Sequence, residues 1–131
     1  MAVKITIITV CYNAAKTIQQ TIESVVEQDY GNIEYIIVDG RSTDDTPAIV
    51  SRYKQYVAKY IYEKDDGIYD AMNKGIQAAT GDYIQFIGAD DCLYDRSTIS
   101  RVVACMRPGI DIFSAARLSV DEKYLCEVKA G

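Results

Sequence analysis

Short apolar, often β-branched runs alternate along this chain with stretches whose apolar residues recur at spacings of three and four. Residues 4–10 (KITIITV), 33–38 (IEYIIV), 59–63 (KYIYE) and 83–87 (YIQFI) read as strands suited to a buried pleated surface. After the first, Ile18, Ile22, Val25 and Val26 form one helical face, with Asn13 as its candidate N-cap. A second helix is expected over residues 45–56, capped by Thr43 or Asp44. Pro47 sits in its first turn, and Ile49, Val50, Tyr53 and Val57 point inward. A third is expected over residues 68–80, with Ile68, Met72, Ile76 and Ala79 inward and Gly81 ending it. Gly75 is out of place there, since a mid-helix glycine costs about 1 kcal/mol against alanine. It signals close packing or a nearby ligand. Residues 95–106 read as a fourth helix with Asp95 at its cap, and 110–115 and 119–128 as further strands. This order describes an α/β fold, a mostly parallel sheet with helices on both faces.

Composition narrows the chemistry. The 131 residues suit one domain and contain no histidine. That removes imidazole acid–base catalysis, Ser–His and Cys–His nucleophiles and histidine zinc sites. A net charge of -5 argues against a nucleic-acid partner, which needs a basic stripe. Cys11, Cys92, Cys105 and Cys126 form no CxxC and read as reduced thiols of a cytoplasmic protein. No signal-peptide pattern and no apolar run of membrane-spanning length is visible, although peripheral membrane contact stays open. The first strand is followed by CYNAAKT rather than a glycine-rich dinucleotide or P-loop turn, and no G-x-S-x-G elbow occurs.

The strand ends carry the functional signal. They read Cys11-Tyr12-Asn13, then Asp39-Gly40-Arg41-Ser42, then Glu63-Lys64-Asp65-Asp66, then Gly88-Ala89-Asp90-Asp91. Open α/β sheets bind ligands outside the carboxyl ends of their strands. Clustered carboxylates repel unless a cation or hydrogen-bond donors satisfy them. Asp90 and Asp91 suit a hard divalent cation completed by substrate phosphates. Asp39 can accept a ligand N–H, while Gly40, Ser42 and Thr43 offer backbone and hydroxyl donors.

Four blocks together resemble the N-terminal half of a family 2 glycosyltransferase with the GT-A fold. They are Val10-Cys11-Tyr12-Asn13 with the helix ending Ser24-Val25-Val26-Glu27-Gln28; residues 35–46 (YIIVDGRSTDDT); residues 63–75 (EKDDGIYDAMNKG); and residues 81–91 (GDYIQFIGADD). The resemblance implies a Rossmann-like sheet binding a nucleotide-diphosphosugar, by default a UDP-sugar. It places Tyr12 at the base pocket and Asp39 on the base. Asp65, Gly67 and Asp70 fall beside the nucleoside and sugar, and Asn73 is a further pattern residue. Asp90 faces the ribose or the cation, and Asp91 ligates Mg²⁺ or Mn²⁺. Arg41 stands where small residues are common, to reach a phosphate or point to solvent.

The implied reaction is inverting transfer to a glycan, lipid-linked or other acceptor, in polysaccharide or cell-envelope assembly at the cytoplasmic membrane face. Family domains are longer, so residues 1–131 are expected to be a donor-binding domain lacking its acceptor half and catalytic base. Asp111, Asp121, Glu122 and Glu127 follow the metal motif, but none sits in a convincing base motif, and Asp121–Glu122 reads as a turn. The alternative is a non-catalytic nucleotide-sugar-binding or scaffold domain. Missing strands would leave a sheet edge or apolar face for homodimer formation.

Overall fold

The structure, a computed structural model, describes residues 3–104, 113–116 and 125–128. Its elements run β1 (Ile5–Cys11), α1 (Ile18–Val26), β2 (Ile33–Asp39), α2 (Thr46–Ser51), β3 (Lys59–Tyr62), α3 (Ile68–Ala78), β4 (Tyr83–Phe86), α4 (Thr98–Ala104), β5 (Phe113–Ala116) and β6 (Leu125–Val128). The first four strands form a parallel sheet in the order β3-β2-β1-β4. β5 and β6 pair antiparallel, overlapping the stretches expected to hold strands. Cys105, Asp111, Asp121 and Glu122 lie outside the described residues, as do the expected end of the fourth helix and parts of the two last strands.

Alternation along the strands sends side chains to two layers. On one face Ile5, Ile7, Cys11, Tyr35 and Ile37 pack with Ile18, Ile22 and Val25 of α1, Ile49 and Val50 of α2 and Ile99 of α4. On the other, Ile8, Ile36 and Val38 pack with Ala71 of α3. The expected sheet with helices on both faces is therefore the observed one.

α3 corrects the sequence reading. Its buried residues are Ala71 and Gly75, while Ile68 and Ile76 are exposed. The helix carries two stripes at helical spacing, and the small one faces the sheet because it lets the backbone come close. A Cβ on Gly75 would stand 2.7 Å from Ile8 Cγ2 and 3.4 Å from Val38 Cγ2. Of the two readings of Gly75, close packing holds.

Gly81 does not close α3. The helix ends at Ala78 with Ala79 extended. Gly81 instead crosses over β1, where a Cβ would stand 2.7 Å from the Thr6 backbone nitrogen. α2 is shorter than expected, with Asp45 at its N-cap. Asn13 does not cap α1, whose N-cap is Thr17.

Glu34 ties the amino end of the sheet together. Its Oε1 accepts from the Thr6 hydroxyl and the Thr80 N–H, both at 2.8 Å. Its Oε2 accepts from the Thr80 hydroxyl at 2.8 Å, with Lys4 Nζ 3.7 Å away. Burial opposes ionisation, but the Thr80 and Thr6 donors and then Lys4 outweigh it and hold the carboxyl at about 2, against an ordinary 4.5. A depressed carboxyl contributes stability above its unfolded value and loses it as pH falls through the folded one. Glu34→Gln is expected to cost on the order of 2–3 kcal/mol near neutral pH. In denaturant titrations the gap to wild type should close between pH 4.5 and 2; a gap independent of pH would contradict the account.

Candidate functional site

Register brings the carboxyl ends of three strands to one line. Cys11 lies opposite Asp39, and Asp39 opposite Tyr62. Two further bonds extend the ladder, Gly40 N–H to the Cys11 carbonyl at 3.0 Å and Glu63 N–H to the Asp39 carbonyl at 3.1 Å. β4 lies on the other side of β1, so β1 and β4 border the crevice where strand order reverses.

Asp39 is fully buried. Its Oδ1 accepts from the Ser42 N–H and the Ser42 hydroxyl, both at 2.7 Å. Its Oδ2 accepts from the Tyr60 hydroxyl at 2.6 Å. Burial, then the bond to Asp39 and its negative charge, push the Tyr60 phenol well above its ordinary value, so Tyr60 stays a donor. Burial, then the charges of Asp39, Asp44 and Asp65, push the Cys11 thiol up, which makes it no nucleophile.

The loops after β1 and β2 are sewn together. Asn13 adopts φ 50°, a left-handed conformation asparagine tolerates. Its side-chain oxygen accepts from the N–H groups of Thr43 (2.8 Å) and Asp44 (3.3 Å). Its own N–H donates to the Ser42 hydroxyl oxygen at 2.8 Å, while Ala14 N–H donates to Thr46 Oγ1 at 2.9 Å. Asp44 accepts from Ala15 N–H and Thr46 N–H. Asn13 is thus a clamp on the second loop.

In the third loop, Gly67 starts α3 at φ 108°, in the region left to glycine. Asp65 accepts from Gly67 N–H at 3.2 Å, and its Oδ2 stands only 2.6 Å from where a Gly40 Cβ would be. Glycine at 40 is what admits the Asp65 carboxylate. Asp70 turns back to the Asp66 N–H at 2.9 Å and pairs with Lys74 at 3.5 Å, and these partners lower its pKa.

The fourth loop turns at Gly88, whose carbonyl accepts from Asp91 N–H at 3.0 Å. The Thr21 hydroxyl of α1 lies within bonding distance of the Ala89 and Asp91 carbonyls, and Ser24 Oγ accepts from Leu93 N–H. One oxygen each of Asp90 and Asp91 stands 3.1 Å from where a Gly88 Cβ would be. Among the described residues no three Cys, Asp or Glu side chains converge on a metal cage. Two neighbouring carboxylates still fit Mg²⁺ or Mn²⁺ completed by phosphate oxygens, and do not fit a closed structural site.

Two cavities open on this edge. The larger, about 490 Å³, is lined by Tyr12, Gly40, Arg41, Thr43, Tyr62, Lys64 and Asp65. The second, about 340 Å³, is lined by Val10, Cys11, Tyr12, Asp65, Gly67, Ile68 and Ala71. Tyr12 and Asp65 belong to both walls, and Tyr12 is 60 % exposed. Of the residues expected at the site, Tyr12, Asp65 and Gly67 come together here. Asp39 is buried and lines neither cavity, Asp70 is engaged on the loop backbone, and Asp90 and Asp91 stand side by side beside Gly88. Sequence reasoning missed Tyr60 and Thr21 and gave Ser42's donors to a ligand instead of to Asp39. The only sequence signal for Tyr60 was its place in the third strand.

The glycosyl transferase family 2 model matches residues 6–125. The chain belongs to that family. A "PGL/p-HBAD biosynthesis glycosyltransferase" of Mycobacterium bovis is 38% identical over 95 residues, covering 70% of this chain and 37% of the relative. The chain thus spans well under half the length of such curated relatives. Among solved structures, mannosyltransferase PcManGT from Pyrobaculum calidifontis in complex with GDP-Man and Mn²⁺ aligns over 84% of this chain and 34% of its own, at 29% identity and TM-score 0.76. TarS 1–349 of S. aureus in complex with UDP-GlcNAc aligns over 77% and 30%, at 26% identity and TM-score 0.70. The fold is the GT-A fold, a Rossmann-like parallel sheet flanked by helices. No helix among the described residues is long and apolar enough to cross a membrane.

The Gly67 backbone sets the entry of α3 beside the second cavity. Nothing lies within 4 Å of a Cβ there, so Gly67→Ala meets only the backbone penalty. It is expected to destabilise the fold by roughly 1–3 kcal/mol. An unchanged melting midpoint would contradict the assigned conformation.

Proposed function

We propose that this chain is the donor-binding half of a family 2 glycosyltransferase, taking a nucleotide-diphosphosugar, by default a UDP-sugar. One observation carries the reading. An exposed aromatic ring, Arg41, Lys64 and the Asp65 carboxylate line one open cleft on the sheet edge where β4 also ends in two neighbouring carboxylates. Tyr12 offers a face for the base, Arg41 and Lys64 offer charge to the diphosphate, and Asp65 and Gly67 border the nucleoside and sugar. Asp70 supports this loop through the Asp66 N–H. Asp39 reads the base, and Asp91, with Asp90 at the ribose or the cation, would hold Mg²⁺ or Mn²⁺. A metal so held would stabilise charge developing on the leaving diphosphate. Binding energy from the base positions the sugar.

The same proposal covers the whole protein. It transfers the sugar with inversion to a glycan or lipid-linked acceptor, at the cytoplasmic face of the membrane, in envelope polysaccharide assembly. Similarity to a PGL/p-HBAD biosynthesis glycosyltransferase and to two transferases in complex with nucleotide-sugars supports this direction. A binding module without transfer is separated from it by a transfer assay on the longest available chain.

Calorimetric titration with UDP is expected to show binding that needs Mn²⁺ and is lost in Asp91→Ala. No binding of UDP, GDP, dTDP or CDP to folded protein would overturn the proposal. β4 is an edge strand among the described residues, and Ile84 on it is exposed. Pairing of two copies along that edge is the oligomer we propose. A single monomeric species in sedimentation velocity at about 100 μM, above the micromolar range of weak specific association, would rule it out.

A further inference from the structure

The donor reading requires Asp39 to meet a nucleobase, and the structure shows what stands in the way. A carboxylate has about four acceptor sites, two on each oxygen. Both donors from Ser42 fall on Oδ1. Ser42 is itself buried, and one of those donors is its backbone N–H, so that side of Asp39 is fixed. Oδ2 keeps a second acceptor site, but the Tyr60 hydroxyl stands on that oxygen at 2.6 Å and Asp39 is wholly shut from solvent, so a base reaches Oδ2 only where a neighbour yields. No solvent reaches Asp39 in this arrangement, and it lines neither cavity.

The partners of Asp39 differ in freedom. Tyr60 is 37 % exposed and stands on β3, an edge strand of the sheet among the described residues. Its ring leans on Tyr62 with centroids 6.1 Å apart, and Tyr62 lines the larger cavity. Tyr60 is therefore the partner able to swing away without unmaking the loop. Tyr62 is tied separately, its hydroxyl donating to the Ser42 carbonyl at 2.9 Å.

We propose that Tyr60 is a gate over Asp39: its hydroxyl occupies the acceptor that a nucleobase imide N–H takes, and the base binds by displacing it. The proposal rests on the donor reading and adds a positioning residue that sets both affinity and base preference. In the closed state Tyr60 keeps the buried carboxylate satisfied. In the bound state the imide N–H of a uracil-type base does so, one charge-assisted bond replacing another. The exchange lets the pocket stay closed around a buried charge until a base with the right donor arrives.

The test compares wild type with Tyr60→Phe, which keeps the ring and removes the hydroxyl. UDP should bind the variant about ten- to a hundredfold more tightly, because one charge-assisted bond no longer has to be broken. The diphosphate of 3-methyluridine, which lacks the imide N–H, should bind both proteins equally. Tyr62→Phe should leave the ratio between the two ligands unchanged. Equal or weaker UDP binding by Tyr60→Phe overturns the gate while wild-type binding keeps the donor reading. Failure of both proteins to bind any nucleoside diphosphate overturns both. Binding by the variant alone supports both.

A second measurement does not depend on the variant's folding. 3-Fluorotyrosine placed at position 60 of the otherwise wild-type chain reports the environment of that ring by ¹⁹F NMR. UDP at saturation should move the resonance toward its solvent-exposed position. A resonance unmoved in UDP-saturated protein overturns the gate.

Discussion

A buried carboxylate must be satisfied where it stands, and Asp39 places that demand at the end of the central strand pair. Its three donors come from two places, the loop that immediately follows it and the neighbouring edge strand. Meeting the demand fixes how the β2 loop folds, which way β3 presents its tyrosines, and where Asn13 can reach to close the β1 loop. An unsatisfied charge there would cost several kcal/mol, so the edge is built around it. The open cleft is lined by what these bonds leave over: the Tyr12 ring, Arg41, Lys64 and Asp65.

β2 carries a buried carboxylate near each end, and the two do different work. Glu34, near the amino end, is closed by Thr6 and Thr80 and joins β1, β2 and the α3–β4 connection. Each of its bonds goes to a residue without access to the cleft lining. Asp39, at the carboxyl end, has one partner that is partly exposed and on an edge strand. The first arrangement resists change, and the second has a movable member. That contrast matches the polarity of open α/β sheets, in which function gathers at the carboxyl ends.

The fold was legible because its determinants are local. Apolar runs with β-branched residues gave four strands, and spacing gave the helices between them. Strand order and side-chain bonding are not local, and they follow from contacts between residues far apart in sequence. The α3 sequence offers two helical stripes, and only contact with Ile8 and Val38 selects Ala71 and Gly75 over Ile68 and Ile76. Asn13 has the chemistry of a helix cap and uses it on another loop. The acidic strand ends announced a site, and Asp65, Gly67 and Tyr12 do converge. What spacing could not tell is that Asp39 would be enclosed by Ser42 and Tyr60, because Tyr60 reaches it across strands from 21 positions away.

The central claim is that nucleotide binds at the carboxyl edge of the sheet. Backbone amide chemical-shift mapping with UDP and Mg²⁺ tests it most directly. The account predicts changes confined to Tyr12–Asn13, Asp39–Thr43, Tyr60–Gly67 and Gly88–Asp91, with the amides of Lys4, Glu34 and Thr80 unmoved. Changes centred on Lys4, Glu34 and Thr80, or spread without focus over both ends of the sheet, would contradict it.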